Sequence, residues 1–301
     1  MTITTELRKK VAETVLQEAE KHPGSDRMFS RSIGISNSVL SRIRAGETDR
    51  ILRDAEWIRL ARMLNVEIGD RPSWKEAQTN TFKFINAQLK YCQSQSVSRI
   101  FCDVADMGKT FAARYYQRQH RNVVYIDCSQ HKTKRQLIRA LAQSFGTEHH
   151  GKLTEVQADL TYFLRMVERP LIILDEAGDL NYDAFLEIKA LWNATEDSCG
   201  WYLLGADGLA RKINRNKDNK KVGYAEIFRR FGSDYMNLTQ DMNEASRRAW
   251  MRSECEAVLQ ANMPSVPLKE VLKGKPSLTL LKEQINKYRL RQLQHGNPFT
   301  N

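Results

Sequence analysis

The segment Arg99-Ile-Phe-Cys-Asp-Val-Ala-Asp-Met-Gly-Lys-Thr110 decides the fold of this chain. It predicts a buried strand that continues into a phosphate-binding loop and then into a helix spanning Phe111 to Gln119. In such a loop, backbone N–H groups surround phosphate, a lysine contacts the outer phosphates and a hydroxyl binds Mg²⁺. The dipole of the following helix favours the same anion. The segment therefore predicts a nucleotide site.

The loop departs at one position from the pattern G-x-x-x-x-G-K-[ST]. Asp103 stands where the first glycine is expected. A carboxylate near phosphate repels it, and a side chain restricts the backbone where glycine does not. We therefore expect slow hydrolysis, or ATP binding without hydrolysis. The predicted ATP-binding residues of this segment are Asp103, Val104, Ala105, Asp106, Met107, Gly108, Lys109, Thr110 and Phe111.

A second segment, Arg169 to Ala177, is an apolar run that ends in two adjacent acids. Leu171 to Leu174 have the length and branching of a strand buried on both faces. Open parallel sheets bind ligands at the carboxyl ends of their strands, where these acids would lie. We predict that Asp175 supports Mg²⁺ together with Thr110 and that Glu176 polarises the attacking water. The alternative is a solvated acid pair that caps a helix.

Composition limits the class of protein. The chain has 301 residues, of which 41% are hydrophobic, so it has room for roughly two domains. No apolar run approaches the ~18 residues of a membrane span, and the first residues lack the apolar core of a signal peptide. The five cysteines are scattered, which favours reduced thiols over a zinc site or disulfides. We expect a cytoplasmic protein with no membrane partner.

Composition shifts divide the chain into three parts. Gly69 and Pro72 predict a linker within Val66 to Ser73, so we assign residues 1–68 and 74–240 to separate domains. In the second domain, strands alternate with helices, which predicts an α/β fold with helices on both faces of a parallel sheet. Residues 241–301 are predicted to form a helical segment that acts as a lid or contacts DNA or a partner.

The N-terminal part contains a helix, a tight turn and a second helix within Met28 to Gly46. Gly34 suits the turn, and Ser36 suits the N-cap of the second helix. The segment resembles the repressor-like helix-turn-helix family, in which the start of the second helix contacts base edges in the major groove. The alternative is a small helical bundle for protein contacts. The residues that would contact DNA are Asn37, Ser38, Ser41, Arg42 and Arg44.

Net charge is +11, and most of the excess lies near the C-terminus. Residues 210–301 carry 18 basic and 9 acidic side chains. The run 211–221 alone holds six basic residues and one acid. Such a run is either a solvated loop or a surface for the phosphate backbone of nucleic acid.

The order of these motifs resembles the AAA+ ATPases. The phosphate-binding loop, the acid pair, a strand ending in Gly205 and the pair Arg229-Arg230 follow one another as in that family. Together with the N-terminal module, the architecture resembles the transposition regulators typified by the B protein of phage Mu, which are similar in turn to IstB-like and initiator-type loaders. The resemblance covers roughly residues 25–240 and implies a three-layer P-loop AAA+ fold that uses ATP and Mg²⁺.

The family resemblance also implies residue roles. Arg229 or Arg230 matches the position from which a subunit offers an arginine finger to its neighbour's ATP, which would make hydrolysis depend on assembly. The alternative is that one of the two is solvated and the other is salt-bridged. A sensor of the γ-phosphate is expected after the strand that ends in Gly205. Because Ala206 stands where a polar residue is expected, Asp207 is the candidate.

In the resembling regulators, ATP holds subunits in a helical filament or ring on duplex DNA, and a transposase stimulates hydrolysis. We predict that the loop Ser129 to Arg135 contacts the phosphate backbone of the DNA, which would give little preference for DNA sequence. Its candidates, Lys132, Lys134 and Arg135, are otherwise the solvated start of a helix. Alternative functions are a helicase or initiator loader, a nucleotide-sensing transcriptional regulator, and a signalling protein with no DNA role.

Overall fold

The computed structural model describes residues 4–64, 66 and 74–295, with side chains up to residue 291. Within these ranges the chain forms an N-terminal group of helices, an α/β region and a C-terminal group of helices. Most of the predicted linker, residues 67–73, lies outside the described residues. The boundary that we assigned at residue 68 lies outside the described residues, and the boundary at residue 240 remains a prediction.

The N-terminal group consists of α1 (Thr5–Lys21), α2 (Asp26–Ile33), α3 (Asn37–Arg44) and α4 (Asp54–Met63). Gly34 ends α2 in a left-handed conformation (φ 67°), which glycine adopts without strain. Ser36 caps α3 by accepting a hydrogen bond from the Val39 nitrogen. The turn and the second helix therefore lie where the sequence predicts them, while DNA binding by this module remains a prediction. The helices surround a core that includes Val11, Val15, Phe29, Leu40, Ile43, Trp57 and Leu60.

The α/β region is built on a five-stranded sheet in which every strand pair is parallel. The spatial order of the strands is β2-β3-β4-β1-β5. Every residue of β3 and β4 is buried, as expected for strands covered on both faces. The predicted parallel sheet is therefore confirmed. The strands are β1 (Ser98–Cys102), β2 (Val123–Asp127), β3 (Leu171–Asp175), β4 (Gly200–Gly205) and β5 (Tyr235–Met236).

Helices cover both faces of this sheet. Successive strand side chains point to opposite faces, so Ile172 joins one apolar cluster and Ile173 the other. One face packs against α5 (Asn80–Gln95) and α6 (Lys109–Gln119). The opposite face packs against the remaining helices, which are α7 (Lys134–Phe145), α8 (Leu153–Met166), α9 (Tyr182–Ala194), α10 (Asp207–Asp218) and α11 (Tyr224–Arg230). The basic run 211–221 thus lies mostly on α10 and is not a loop.

The C-terminal group consists of α12 (Glu244–Asn262), α13 (Leu268–Val271) and α14 (Leu278–His295). Buried Glu254 on α12 accepts hydrogen bonds from the backbone nitrogens of Asn80 and Thr81 and from the Thr81 hydroxyl. This carboxylate caps the N-terminus of α5, where the helix dipole favours negative charge. The contact attaches the C-terminal helices to the α/β region.

The N-terminal helices also contact the α/β region. Lys21 donates a hydrogen bond to the Arg118 carbonyl, and Arg31 lies 3.6 Å from Glu148. Gly146 ends α7 with φ 73°, and a Cβ at this position would collide with the Met28 backbone. Within the described ranges, no helix is long and apolar enough to cross a membrane.

Candidate nucleotide site

The phosphate-binding loop connects β1 to α6, and Lys109 is the first residue of that helix. Its ammonium donates hydrogen bonds to the carbonyls of Asp103 (2.9 Å) and Val104 (2.6 Å). Burial lowers the pKa of Lys109, while the nearby carboxylates of Asp103 and Asp175 act in the opposite direction. Gly108 precedes the helix with φ 86°, a conformation that favours glycine. The lysine therefore lies inside the loop, as predicted.

The predicted Mg²⁺ ligands are in direct contact. The Thr110 hydroxyl donates a 2.6 Å hydrogen bond to Asp175 Oδ2, although the two residues belong to different elements. Asp175 ends β3, is 1% exposed and lies opposite Asp127 in the sheet register. Hydroxyl and carboxylate oxygens are donors that suit Mg²⁺. Thr110 and Asp175 therefore fit the metal that the loop implies and would hold it.

Sequence analysis missed two residues beside this pair. The Tyr125 hydroxyl donates a 2.8 Å hydrogen bond to Asp175 Oδ2, and the Arg114 guanidinium lies 4.9 Å from the Tyr125 ring centroid. A tyrosine within a buried strand needs a partner for its hydroxyl, and this was the available signal. Tyr125 therefore helps to orient the carboxylate that faces Thr110, and Arg114 packs against the Tyr125 ring.

Glu176 follows Asp175 and has a left-handed backbone conformation (φ 50°). Such a conformation is uncommon for a residue other than glycine. Its side chain is exposed beside the buried Asp175. Partial burial and the adjacent charge of Asp175 raise the pKa of Glu176, and Lys109 acts in the opposite direction. A carboxylate with a raised pKa is a better proton acceptor, which suits the predicted role of polarising water.

Asp103 occupies the glycine position of the loop without a left-handed backbone, so no glycine is required here. The expected restriction of the backbone by its side chain is therefore not seen. The carboxylate is 3% exposed and accepts hydrogen bonds from the Leu238 nitrogen (2.6 Å), the Thr239 nitrogen (2.9 Å) and the Thr239 hydroxyl. These donors therefore supply hydrogen-bond partners for the Asp103 carboxylate beside the loop. Whether it repels phosphate remains a prediction.

The rest of the loop contacts the C-terminal helices. Asp106 (φ 66°) accepts a 2.9 Å hydrogen bond from the Thr279 nitrogen at the start of α14. Met107 is buried in an apolar cluster with residues of α12 and α14, and Val104 packs against that cluster. Ala105 is exposed, and Phe111 is 37% exposed beside Phe82. The conformation of the loop is thus linked to the position of the C-terminal helices.

The two candidate finger arginines have different surroundings on α11. Arg229 is exposed, whereas the Arg230 guanidinium lies 5.1 Å from the ring centroid of Trp192. The sensor candidate Asp207 is exposed at the first turn of α10, directly after β4. The geometry therefore favours Arg229 over Arg230 as a residue free to contact another subunit.

Most of the predicted DNA-contacting cations are already paired. Lys132 lies 3.1 Å from Asp179, and Lys134 lies 2.6 Å from Glu187, which is only 3% exposed. Arg135 is exposed. On α3, Arg42 pairs with Glu47 and Arg44 pairs with Asp26. The side chains of Asn37, Ser38 and Ser41 are exposed on the same helix.

Part of the chain matches a known protein family. Residues 104–213 match the family model described as AAA domain, a segment that begins one residue after Asp103 and contains Lys109, Thr110, Asp175 and Glu176. The chain therefore carries a P-loop AAA-type ATPase domain, and its α/β fold with a parallel sheet is consistent with that class. Such a domain implies nucleotide binding, usually with Mg²⁺. No curated protein matches the chain.

Proposed function

We propose that this protein is an ATP-dependent, DNA-binding AAA+ protein that assembles on target DNA, hydrolyses ATP and delivers or marks the target for a transposase. The 2.6 Å hydrogen bond between Thr110 and Asp175 is the observation on which the proposed ATPase activity rests. It joins the phosphate-binding loop to the acid pair at the carboxyl ends of the strands, where open α/β sheets bind their ligands.

Each residue of the site has a different proposed role in ATP hydrolysis. Lys109 contacts the β- and γ-phosphates of ATP, and Thr110 and Asp175 would hold Mg²⁺. The metal, when bound, neutralises charge on the phosphates. Glu176 accepts the proton of the attacking water, which becomes a stronger nucleophile toward the γ-phosphorus. Arg229 of one subunit stabilises the charge that develops on a neighbour's ATP, so that assembly accelerates hydrolysis.

The DNA part of the proposal is supported by charge and by exposed polar side chains. Arg135 and several residues of the 211–221 run present cations to solvent, which suits a polyanion with no preferred sequence. On α3, Arg42 and Arg44 must leave Glu47 and Asp26 before they contact DNA. We therefore propose that the N-terminal module adds modest affinity. The link to a transposase rests on the combination of domains.

The decisive experiment measures binding to two random duplexes of unrelated sequence, with ATP and with ADP, followed by electron microscopy of the ATP complex. We expect similar affinities for both duplexes, tighter binding with ATP, and filaments or rings. The variant Lys109→Ala is the control for dependence on nucleotide. A single preferred sequence would identify a nucleotide-sensing regulator instead. Closed rings that load a second protein would favour a helicase or initiator loader.

A further inference from the structure

The loop that follows the catalytic acid pair is held by two lysines from two different basic segments. The loop comprises Glu176 to Asn181 and includes a turn of 3₁₀ helix at Ala177–Asp179. Lys212 on α10 donates hydrogen bonds to the carbonyls of Gly178 (2.7 Å) and Leu180. From the segment after β2, Lys132 contacts the same loop. The conformation of Glu176 therefore depends on cations that lie outside the acid pair.

Lys132 holds the loop through its side chain and through its backbone. Its ammonium lies 3.1 Å from Asp179 Oδ2, and its carbonyl accepts a 2.8 Å hydrogen bond from the Asn181 nitrogen. Asp179 in turn donates its backbone N–H to the Glu176 carbonyl at 2.9 Å. A movement of Asp179 is therefore transmitted to Glu176 through one hydrogen bond and the two residues of chain between them.

The two lysines differ in how easily they can be displaced. Lys212 is partly buried, and its ammonium also lies 5.2 Å from the Phe185 ring centroid. By contrast, the side chains of Lys132 and Asp179 are 50% and 44% exposed. An ion pair between groups so exposed contributes little free energy, because water competes for both charges. A phosphate oxygen can therefore replace Asp179 as the partner of Lys132.

Lys132 also belongs to the segment for which we proposed contact with the DNA backbone. One ammonium thus has two alternative anionic partners, a DNA phosphate and the carboxylate of the loop that carries Glu176. We propose that Lys132 is a positioning residue through which bound DNA controls hydrolysis. Without DNA it pairs with Asp179 and restrains the turn at Ala177–Asp179. With DNA it binds phosphate and frees Asp179, so that Glu176 can move toward the water while Lys212 and the Lys132 carbonyl still hold the rest of the loop. This inference rests on the proposed function.

The test compares ATP turnover with and without saturating random duplex in the full chain. Asp179→Asn removes the ion pair without removing a DNA contact. We expect its turnover without DNA to rise by a few-fold toward the stimulated level of the wild type, because an exposed ion pair contributes little free energy, so that the ratio of the two rates falls toward one. Its DNA affinity should not weaken. Lys132→Gln should give the same ratio, together with weaker DNA binding.

The matched control is Asp183→Asn, which makes the same chemical change at an exposed position on the first turn of α9 that forms no ion pair among the described residues. This control should keep the wild-type ratio of turnover with DNA to turnover without DNA. If the loss of any acidic charge had a general effect, the ratio would change in the control as well. The inference would be overturned if Asp179→Asn kept the same ratio as the wild type. It would also be overturned if the wild-type protein bound DNA and its turnover did not change. A wild-type protein that binds no DNA would instead overturn the proposed function itself.

Discussion

The Asp103 carboxylate accepts a 2.9 Å hydrogen bond from the backbone nitrogen of Thr239, which joins the start of the phosphate-binding loop to the segment between β5 and α12. Leu238 and the Thr239 hydroxyl donate to the same carboxylate. The acid that interrupts the glycine pattern is thus a structural link. The contribution of Asp103 to the stability of the fold can therefore be measured separately from any effect on nucleotide binding.

Replacing Asp103 by Ala should therefore destabilise the fold. The substitution leaves the partly buried Leu238 nitrogen and the buried Thr239 nitrogen without this acceptor, and a buried unsatisfied donor costs about 1–3 kcal/mol. We expect a loss of about 2–3 kcal/mol in the free energy of unfolding, measured by urea titration. Asp103→Asn keeps an acceptor oxygen and should lose less.

The same argument applies to Asp103→Gly, although this change restores the family pattern of the loop. We expect this variant to be less stable than the wild type, as Asp103→Ala is. The matched control is Asp241→Ala, because Asp241 is an exposed acid near the same segment. An Asp103→Gly variant as stable as the wild type would show that the hydrogen bonds to residues 238 and 239 contribute little.

Lys109→Ala should abolish ATP binding. The ammonium of Lys109 lies among the loop carbonyls, and no other described lysine does so. An equilibrium titration with a fluorescent ATP analogue measures the effect. Lys90→Ala, which removes an exposed lysine of α5, should bind as the wild type does. Ordinary affinity in a folded Lys109→Ala protein would show that the loop does not bind the phosphates.

The helices and strands near the site could be predicted because the residues that determine them are neighbours in the sequence. The apolar run before Asp175 and the sequence Gly108-Lys109-Thr110 each determine a strand end or a helix start within a few residues. The contact between Thr110 and Asp175 then follows from the topology of a parallel sheet.

The partners of charged side chains could not be predicted, because they come from distant parts of the chain. Nothing around Lys134 indicates that it pairs with buried Glu187 on α9. In the same way, nothing around Asp103 indicates Thr239. The sequence therefore predicts Lys132 and Lys134 as DNA-contacting cations, although both form ion pairs in the structure. Of the three candidates in this segment, only Arg135 forms no ion pair among the described residues.

Glu176→Gln should keep ATP binding and lose turnover. The amide retains the size of the side chain but cannot accept a proton, and the loss of a general base lowers turnover by about 100-fold or more. The pKa of Glu176 is raised above 4.5 by partial burial and by Asp175. Below the raised pKa the carboxyl is protonated and cannot act as a base.

The pH dependence of turnover gives a second measurement of the same assignment. In the wild type, turnover should fall as the pH decreases through the raised pKa, so the acid limb of the profile should lie above 4.5. The residual turnover of Glu176→Gln should lack this limb. A limb that persists unchanged in the variant would assign the titration to another group.

Acidification should weaken the fold at the contact between the N-terminal helices and the α/β region. Burial lowers the pKa of His22 from 6.5 to about 4, so the folded protein holds this imidazole neutral. Between these values the unfolded chain binds the proton more readily, and stability therefore falls as the pH decreases from 6.5 toward 4. Urea titrations across this range should show a shallower dependence in His22→Gln. His150→Gln, at an exposed position, should keep the wild-type dependence.

Arg229→Ala and Arg230→Ala should have different effects, although the residues are adjacent. Arg229 is exposed, so its loss should spare stability and nucleotide binding by the single subunit but reduce the hydrolysis that depends on assembly. Arg230 lies against Trp192, and its loss should cost about 0.5–1 kcal/mol of stability. Mixing experiments separate action within a subunit from action on a neighbour. Lys109→Ala subunits, which cannot bind ATP, still offer Arg229 to a neighbour and should therefore restore part of the turnover of Arg229→Ala subunits. If the mixture never exceeds the turnover of Arg229→Ala alone, Arg229 does not act on a neighbouring site.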